Sequence, residues 1–389
     1  MAEIILSGAR VALGPDRARR LDVTIRGGCI AALGSALGGM DLSGHLILPG
    51  LINAHDHLEF NLFPRLGRGP YPNATAWARD IHRPEESPVR EHRRIPKRVR
   101  LYWGGLKNLV GGVTTVCHHN TYEPGMFGAH FPVRVVRNFG WAHSLAFSPD
   151  LLRRYRRSPA GRPFIFHAGE ATDASGHAEI AELDSMGVIE GSVLVHGISL
   201  HGAGLRLLKK RGASLITCPV SNIFTLGRTL PREAFSNGLA IALGTDSGIS
   251  ARGDFLDALR FTHRHCGLVP KKLYVMATAT AAKILCLQNG EGSIEENARA
   301  DLIAIRDTGL APAAALLDAR RIELAIVGGK IRLISERLAA RIGAPANFEP
   351  LHIAGRGRVL VDAPVAELHR EAVSILKMPL RVAGKAVSV

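Results

Sequence analysis

The chain of 389 residues has few cysteines, few aromatic side chains and no long apolar run. Its five cysteines are odd in number and widely scattered, which argues against a disulfide framework or a cysteine-rich zinc cluster and favours a reducing compartment. The N-terminus lacks the pattern of a secretory signal, and no stretch of about 18 apolar residues is present. We therefore expect a cytoplasmic protein that does not interact with membranes. The balance of 46% hydrophobic and 21% charged residues is typical of a folded globular chain.

Carboxylates are scarce relative to cations, with 34 Asp and Glu against 49 Lys and Arg, so the formal net charge is +15. Two basic runs stand out, at Arg90–Arg100 and Arg153–Arg162, and both are interrupted by proline. No nucleic-acid-binding motif accompanies them. We interpret these runs as solvated surface and expect no specific nucleic-acid partner, with an anionic substrate or partner as the alternative.

The chain divides into regions of different pattern. Residues 1–48 and 298–344 contain short apolar segments separated by glycine and turn residues, which predicts one small β domain built from both segments. In residues 49–297 apolar strands alternate with amphipathic helices, which predicts a parallel α/β barrel. Residues 345–389 form a C-terminal extension whose position is not predicted.

The barrel region is predicted unevenly. The clearest strands are Val113–Cys117, Trp141–Phe147, Pro163–His167, Ser192–His196, Ala213–Cys218 and Leu239–Leu243. The interval between Phe147 and Pro163 is short for a strand, a helix and a strand, so the third and fourth barrel strands are not assigned. Lys271–Cys286 is predicted as one helix, and the proline-rich, charged segment Tyr71–Arg98 as a long loop of the kind that usually carries function.

Two histidine pairs are spaced at i and i+2. On a strand, His55 and His57 point to the same face, where one metal ion can bind both. His263 and His265 lie in a predicted helix, where residues two apart diverge by about 200° around the axis. The first pair follows an apolar strand that opens the barrel, so we predict a metal site there and a surface or packing role for the second pair.

Three further predicted strands end in residues that suit a metal site. His167, His196 and Asp246 follow the apolar segments Phe164–Phe166, Val193–Val195 and Ile241–Thr245. The carboxyl ends of parallel strands meet at one end of a barrel, so these side chains are expected to converge with the first histidine pair. Imidazole and carboxylate ligands suit zinc, iron and manganese alike.

Several motifs resemble those of the amidohydrolase superfamily, in its cytosine deaminase, guanine deaminase and chlorohydrolase-like branch. They occur in family order at Pro49–Leu58, Gly112–Thr115, Thr217–Asn222, Leu243–Ser247, Ala277–Leu287, Gly292–Ile294 and Ala300–Leu302. The resemblance spans roughly residues 1 to 335. It implies a (β/α)8 TIM-like barrel with a small β-sandwich domain formed by the N- and C-terminal segments.

The run His167-Ala168-Gly169-Glu170 is similar to the corresponding stretch of adenosine deaminases. The resemblance implies that His55, His57, His167 and Asp246 bind the metal. It makes Glu170, His196 and Asp246 catalytic: Glu170 is the acid/base, and His196 orients the attacking hydroxide. No lysine ends a strand before His167, which favours one divalent ion, with zinc preferred and iron or manganese as alternatives.

These assignments predict a hydrolytic deaminase of an amino-substituted nitrogen heterocycle, such as a purine, pyrimidine, pterin or triazine-like ring. Hydroxide generated at the metal attacks the ring carbon, Glu170 protonates the leaving nitrogen, and ammonia is released. A cyclic amide (imidazolone-type) hydrolase and a dechlorinating hydrolase on the same metal site are alternatives. A non-catalytic scaffold is disfavoured by the complete ligand set.

Candidate substrate contacts follow from residue type and position. Phe63 and Arg65 combine aromatic surface with positive charge, which suits a flat ring bearing an anionic group. His119 follows the second predicted strand and is either a substrate contact or a hydrogen-bonded strand-end histidine. Asn222 lies in the motif of the seventh strand. Whether the chain forms a homo-oligomer is left open.

Overall fold

A computed structural model describes residues 3–389 of the protein. Its strands fall into three groups along the chain. The first group is β1 (Ile4–Ser7), β2 (Arg10–Ala12), β3 (Ala18–Arg20), β4 (Asp22–Arg26), β5 (Cys29–Gly34), β6 (Met40–Asp41) and β7 (His45–Pro49). The second is β8 (Leu51–Asp56), β9 (Val113–His118), β10 (Arg134–Val135), β11 (Gly140–Ser144), β12 (Phe164–Ala168), β13 (Val193–His196), β14 (Ser214–Thr217) and β15 (Ile241–Leu243). The third is β16 (Leu302–Arg306), β17 (Leu324–Val327), β18 (Lys330–Ser335), β19 (Glu349–Ile353), β20 (Gly357–Val361), β21 (Arg381–Val382) and β22 (Lys385–Ser388).

Most helices lie between the strands of the second group. They are α1 (Ala74–Ile81), α2 (Val89–Arg94), α3 (Lys97–Val110), α4 (Leu151–Arg156), α5 (Ala174–Ser185), α6 (Gly202–Lys210), α7 (Pro219–Leu226), α8 (Phe255–Cys266), α9 (Pro270–Met276), α10 (Ala279–Ile284), α11 (Pro312–Asp318), α12 (Glu336–Ile342) and α13 (Val365–Leu376). Short 3₁₀ turns occur at Leu58–Phe60 and Arg232–Phe235. Among the described residues, no helix combines the length and apolar character that crossing a membrane requires.

The second group of strands is parallel throughout. One sheet has the order β10-β9-β8 and another the order β11-β12-β13-β14-β15. A parallel bridge between Asp56 and Asp246 links the end of β8 to the segment after β15. The predicted mixed α/β fold is therefore confirmed, and the carboxyl ends of β8 and β15 meet.

The parallel strands are buried on both faces. Every residue of β8, β9 and β12 is buried, as expected where helices cover a parallel sheet. β8 begins after Gly50, where a Cβ atom would lie 2.1 Å from the Thr114 Oγ1 atom of the adjacent strand. The Pro49-Gly50 step thus allows the chain to leave β7 and enter the parallel sheet without a clash.

The structure assigns the two strands that the sequence left open. β10 has two residues and pairs with β9, and β11 pairs with β12. The interval before β12 holds only the six-residue helix α4. The third strand therefore lies earlier in the chain than the interval between Phe147 and Pro163. That interval does not need to contain a strand, a helix and a further strand.

Two element predictions were wrong. The helix predicted over Lys271–Cys286 is two helices, α9 and α10, because the backbone leaves the helical path at Ala277 and Thr278. The segment predicted as a long loop, Tyr71–Arg98, contains α1 and α2 and the start of α3. Asn73 starts α1 by accepting a hydrogen bond from the Ala76 amide, and the prolines stand at the helix boundaries.

The two ends of the chain meet in one sheet. β7 pairs antiparallel with β16, and the sheet has the order β21-β22-β19-β20-β18-β17-β16-β7-β2-β3. The C-terminal strands join it because β20 pairs antiparallel with β18. A second sheet, β5-β4-β1-β6, contains the remaining N-terminal strands. α13 packs against α2 and α3, so the C-terminal extension also contacts the α/β part.

Candidate metal centre

Four histidine side chains converge at the carboxyl ends of β8, β9 and β12. His55, His57, His119 and His167 are all buried, and one ring nitrogen of each lies within 4.8 Å of the others. This cluster can hold a metal ion. Three of its members, His55, His57 and His167, are histidines that the sequence predicts as ligands.

The outer nitrogens of two of these imidazoles have fixed acceptors. His57 Nδ1 lies 3.2 Å from Asn120 Oδ1, and His167 Nδ1 lies 2.8 Å from the His143 carbonyl oxygen. A carbonyl oxygen only accepts, so each Nδ1 carries the proton and each Nε2 keeps a lone pair. Such outer hydrogen bonds are the usual way that a protein orients metal-binding histidines.

His119 sets the tautomer of the third imidazole, that of His55. Its Nε2 donates to the Ala142 carbonyl oxygen at 2.9 Å, which leaves its Nδ1 as an acceptor. That Nδ1 lies 3.1 Å from His55 Nδ1, so His55 donates its proton outward and keeps its Nε2 lone pair. Both ring nitrogens of His119 are thus engaged within the protein.

The free Nε2 atoms face one another. His55 Nε2 lies 3.2 Å from His167 Nε2, and Asp246 Oδ1 lies 3.7 Å from the Nε2 atoms of both His55 and His57. Burial lowers the pKa of His55 to about 4 and that of His167 well below its ordinary value, so the rings are neutral. Two lone pairs at this separation repel unless a cation lies between them. Three imidazoles with free Nε2 atoms and a carboxylate are a donor set that suits one divalent transition-metal ion.

Asp246 is held for this role by two hydroxyls. Its Oδ2 accepts hydrogen bonds from Ser221 at 2.5 Å and Ser250 at 2.6 Å, which leaves Oδ1 to face the imidazoles. Burial alone would raise the pKa of Asp246, but the surrounding histidines lower it, so the carboxylate is ionised. Its backbone has φ of 64°, a left-handed conformation that is costly for a non-glycine residue and that often occurs at functional sites.

Glu170 and His196 lie beside the cluster. His196 Nε2 is 3.6 Å from Glu170 Oε2, and His196 Nδ1 is 2.7 Å from Asn222 Oδ1, so Asn222 orients the ring. Burial raises the pKa of Glu170 to about 7, against the lowering effect of His196. A carboxyl group with such a pKa can accept and donate a proton near neutrality. His196 also has a left-handed backbone, with φ of 74°.

A cavity of about 460 Å³ opens beside His167 and Glu170. Residues that the sequence analysis missed line it: His143 at the end of β11, Phe147, and Arg79 on α1. The strand prediction around Trp141–Phe147 contained the signal for His143, since it is another histidine near a strand end. Arg79 lies in the segment predicted as a loop and had no distinguishing pattern.

The predicted substrate residues lie outside this lining. Phe63 is buried against Phe60 and His92, with ring centroids 5.7 and 5.0 Å apart. The Arg65 guanidinium stacks 4.3 Å above the Phe224 ring, and burial lowers its pKa. His119 and Asn222 contact His55 and His196 respectively, as described above.

The second histidine pair is remote from the cluster. His263 and His265 lie on α8, where His263 Nδ1 donates to the Leu268 carbonyl oxygen at 2.7 Å. The His265 ring stacks on Phe261 with centroids 3.7 Å apart. Both histidines therefore have the surface or packing role that helical spacing predicted.

A buried polar network lies on the face of β8 opposite to His55 and His57. Asp56, between the two histidines, points to the opposite face of β8 and is fully buried. Its Oδ2 accepts from Asn108 at 3.0 Å and Thr245 at 2.9 Å, and it lies 3.5 Å from Lys107 Nζ, a buried ammonium. The alternation of a strand predicts that Asp56 faces away, but nothing in the sequence indicated its partners on α3.

The comparisons with known proteins agree with this geometry. A family profile described as "Amidohydrolase family" matches residues 146–332. A 5-methylthioadenosine/S-adenosylhomocysteine deaminase of Syntrophobacter fumaroxidans is 25% identical over 378 residues, covering 78% of this chain and 84% of the relative. Two solved structures share the fold. They are a zinc-bound adenosine deaminase from Xanthomonas campestris (TM-score 0.70, 17% identity, 96% of this chain and 98% of the other) and the zinc complex of atrazine chlorohydrolase from Arthrobacter aurescens (0.73, 18%, 96% and 100%).

A buried histidine cluster at the carboxyl ends of parallel strands, in a fold shared with two zinc-containing structures, defines a candidate metal-binding site in a mixed α/β protein. The profile and the deaminase relative are both consistent with the amidohydrolase family, which the motifs of this chain resemble.

Proposed function

We propose that the protein is a hydrolytic deaminase of an amino-substituted nitrogen heterocycle: a purine, pyrimidine, pterin or triazine-like ring. The observation that carries the proposal is the position of Glu170, a carboxyl group that is 13% exposed and has a raised pKa, at the edge of a cavity next to the histidine cluster. Deamination of a ring requires a group that transfers a proton to the leaving nitrogen. The deaminase names of the relatives support the same reaction.

We propose one zinc ion as the cofactor, held by His55, His57, His167 and Asp246. The free Nε2 atoms and Asp246 Oδ1 support this ligand set, and the zinc in the related structures supports the choice of metal. When bound, a divalent ion lowers the pKa of water to about 7 and so supplies hydroxide at neutral pH. Iron and manganese suit the same donors.

The residues of the chain then have distinct tasks. Glu170 accepts a proton at Oε2 and donates it to the leaving nitrogen of the ring. His196, oriented by Asn222, holds its Nε2 toward the reacting water and Glu170. Asp246 accepts a proton at Oδ1 while its Oδ2 stays bound to Ser221 and Ser250. The cavity walls hold the heterocycle and exclude bulk water.

We assign His119 and Asn222 as positioning residues, since both act through another histidine in the structure. His143 and Arg79, which line the cavity, are better placed than Phe63 and Arg65 to contact a substrate. Arg79 is exposed at the cavity and suits an anionic substituent. The substrate is a small molecule in this proposal, and neither a nucleic acid nor a membrane takes part.

The architecture proposed for this function is a closed (β/α)8 barrel of residues 49–297. We propose that residues 1–48 and 298–344 form a small β-sandwich domain, extended by residues 345–389. The bridge from Asp56 to Asp246 and the pairing of β7 with β16 support these boundaries. A cytoplasmic location belongs to the same proposal, supported by the five free cysteines.

The test is a substrate panel assayed with zinc-reconstituted protein. The panel contains methylthioadenosine, adenosine, guanine, cytosine, a pterin and amino- and chlorotriazines, and it is read by ammonia release and by product mass. We expect ammonia from at least one amino compound, a fall of about 10²–10⁴ in kcat for Glu170→Gln, and no loss of bound zinc in that variant. Glu182→Gln, at the exposed edge of the same cavity, is the matched control and should retain activity.

Other products would identify the alternatives. Addition of water without loss of ammonia indicates a cyclic amide hydrolase, and release of chloride alone indicates a dechlorinating hydrolase. If the zinc-loaded protein releases ammonia from no compound, or if Glu170→Gln retains full turnover, deamination by this mechanism is wrong.

A further inference from the structure

A second cavity, of about 600 Å³, lies at the end of the parallel sheet opposite the histidine cluster. Its walls come from the segment between β9 and β10, the start of β10, the turn before β11, the loop before β12, the chain after α10 and the β17–β18 turn. The segments at β10, β11 and β12 lie at the amino ends of those strands, whereas the histidines lie at the carboxyl ends. The cavity is thus separate from the proposed active site.

The lining of this cavity is strongly cationic. Six of its side chains are basic: Arg134, Arg137, Arg162, Arg299, Lys330 and Arg332. Glu291 is the one carboxylate among the lining residues, and it pairs with Arg299 at 3.2 Å. We call this site the cationic cavity.

Carboxylates outside the lining offset part of this charge. Asp301 pairs with Arg134 at 2.7 Å, and Asp362 pairs with Arg332. Within residues 3–389, the other three cations, Arg137, Arg162 and Lys330, have no carboxylate partner. The cavity therefore has about three uncompensated positive charges.

Three buried donors around the cavity also lack partners. Tyr122 Oη, Arg134 Nε and Arg332 Nε make no hydrogen bond within the described chain, and all three residues line the cavity. The Arg332 residue is 7% exposed. A buried donor without an acceptor is costly and usually indicates water, an ion or a ligand. These donors point to an occupant that supplies several acceptor oxygens.

We propose that the cationic cavity binds a small organic phosphate or pyrophosphate. Guanidinium groups recognise phosphate oxygens through paired hydrogen bonds, and several phosphate oxygens match both the surplus charge and the unpartnered donors. Tyr122, Phe127 and Phe131 add aromatic surface for the organic part. A volume of this size is within the range of pockets that hold small ligands. The inference does not depend on the proposed deaminase activity.

The test is calorimetric titration of the full-length protein with pyrophosphate and with ATP, at low and at physiological ionic strength. The double variant Arg137→Gln/Lys330→Gln removes two exposed cations of the cavity that have no carboxylate partner, so folding should be retained. The control Arg206→Gln/Lys210→Gln removes the same charge from the exposed surface of α6. The single variant Lys330→Gln provides a milder comparison, and thermal melting without ligand checks each variant.

We expect saturable binding of about one equivalent, weakened at least tenfold in the cavity variant and within twofold of wild type in the control. Equal affinity for both ligands would show that the phosphates alone are recognised, and tighter ATP binding would show that the aromatic lining contributes. The proposal is overturned if neither ligand binds saturably. It is also overturned if both double variants weaken binding equally, which indicates a general electrostatic effect, or if the cavity variants bind as wild type does, which places the anion elsewhere.

Discussion

The location of His119 could be predicted from the sequence, but its role could not. The sequence places it after the second strand but leaves both a substrate contact and a structural hydrogen bond open. In the structure both of its ring nitrogens are engaged, one with Ala142 and one with His55. Strand ends can be predicted from apolar runs, whereas the partner of each ring nitrogen depends on neighbours that come together only on folding.

This arrangement leads to a prediction for His119. Replacement by leucine removes the acceptor for the His55 Nδ1 proton, so His55 loses its fixed tautomer and zinc affinity should fall by about 10- to 100-fold. His119→Gln, which offers an amide oxygen, should recover part of the loss. The measurement is zinc competition against a chelator, and kcat of the zinc-saturated variants should change less than zinc affinity. Unchanged zinc affinity in His119→Leu would contradict the positioning role.

At the scale of elements, β8 and α3 are joined by charge as well as by apolar packing. The alternation of β8 predicts that His55 and His57 share a face and that Asp56 faces away, and the structure shows Asp56 fully buried there. Its cationic partner, Lys107, is 2% exposed on a helix whose sequence would normally place a lysine in solvent. The pairing was not predictable because Lys107 lies far from Asp56 along the chain and is one of many basic residues.

This pair gives a stability prediction. Lys107→Met leaves Asp56 buried without its ammonium partner, so the free energy of unfolding should fall by about 3–5 kcal/mol. Lys210→Met, an exposed position on α6, is the control and should change it by less than about 0.5 kcal/mol. Denaturant unfolding of the metal-loaded proteins measures both. Similar stabilities for the two variants would show that Asn108, Asn53 and Thr245 suffice to solvate the Asp56 carboxylate.

Some boundaries of helices and strands could likewise be predicted from the sequence, and others could not. The strands that carry His167 and His196 were predicted within a few residues, because a buried parallel strand is a continuous apolar run. β10 escaped prediction because two residues carry no periodicity. The α9–α10 break also lacks a signal, since neither glycine nor proline occurs at or beside Ala277 and Thr278.

At the scale of the whole molecule, the alternation of strands and helices predicted the mixed α/β fold, and the motifs predicted the family whose profile matches residues 146–332. The position of residues 345–389 was not predictable. β19 to β22 are short and partly polar, and β20 joins the sheet through a pairing with β18 that no local pattern specifies. Long-range contacts of buried charged groups fix this extension on the rest of the chain.

Arg356 is the clearest of these contacts and gives the last prediction. It lies in the turn between β19 and β20, is 7% exposed, and donates to both carboxylate oxygens of buried Asp254, which starts α8. Arg356→Met leaves that carboxylate with Lys385 as its remaining cation at 3.4 Å, so the free energy of unfolding should fall by about 3–5 kcal/mol at neutral pH. Arg358→Met, two residues on, removes an exposed pair with Glu336 and should cost less than about 1 kcal/mol.

The dependence on pH separates lost charge pairing from lost packing. Arg356 also pairs at 3.0 Å with Asp257, in the first turn of α8. Burial alone would raise the pKa of Asp257, but the hydrogen bond from Lys385 and the charge of Arg356 lower it below its ordinary value of 3.8. A carboxyl group with a lowered folded-state pKa stabilises the protein above its unfolded pKa, and this contribution is lost as pH falls below that value. Wild type and Arg358→Met should therefore lose stability steeply as pH falls below about 4, and Arg356→Met should lose less over the same range. Parallel pH profiles for all three proteins would mean that Arg356 contributes through packing of its side chain and not through its charge.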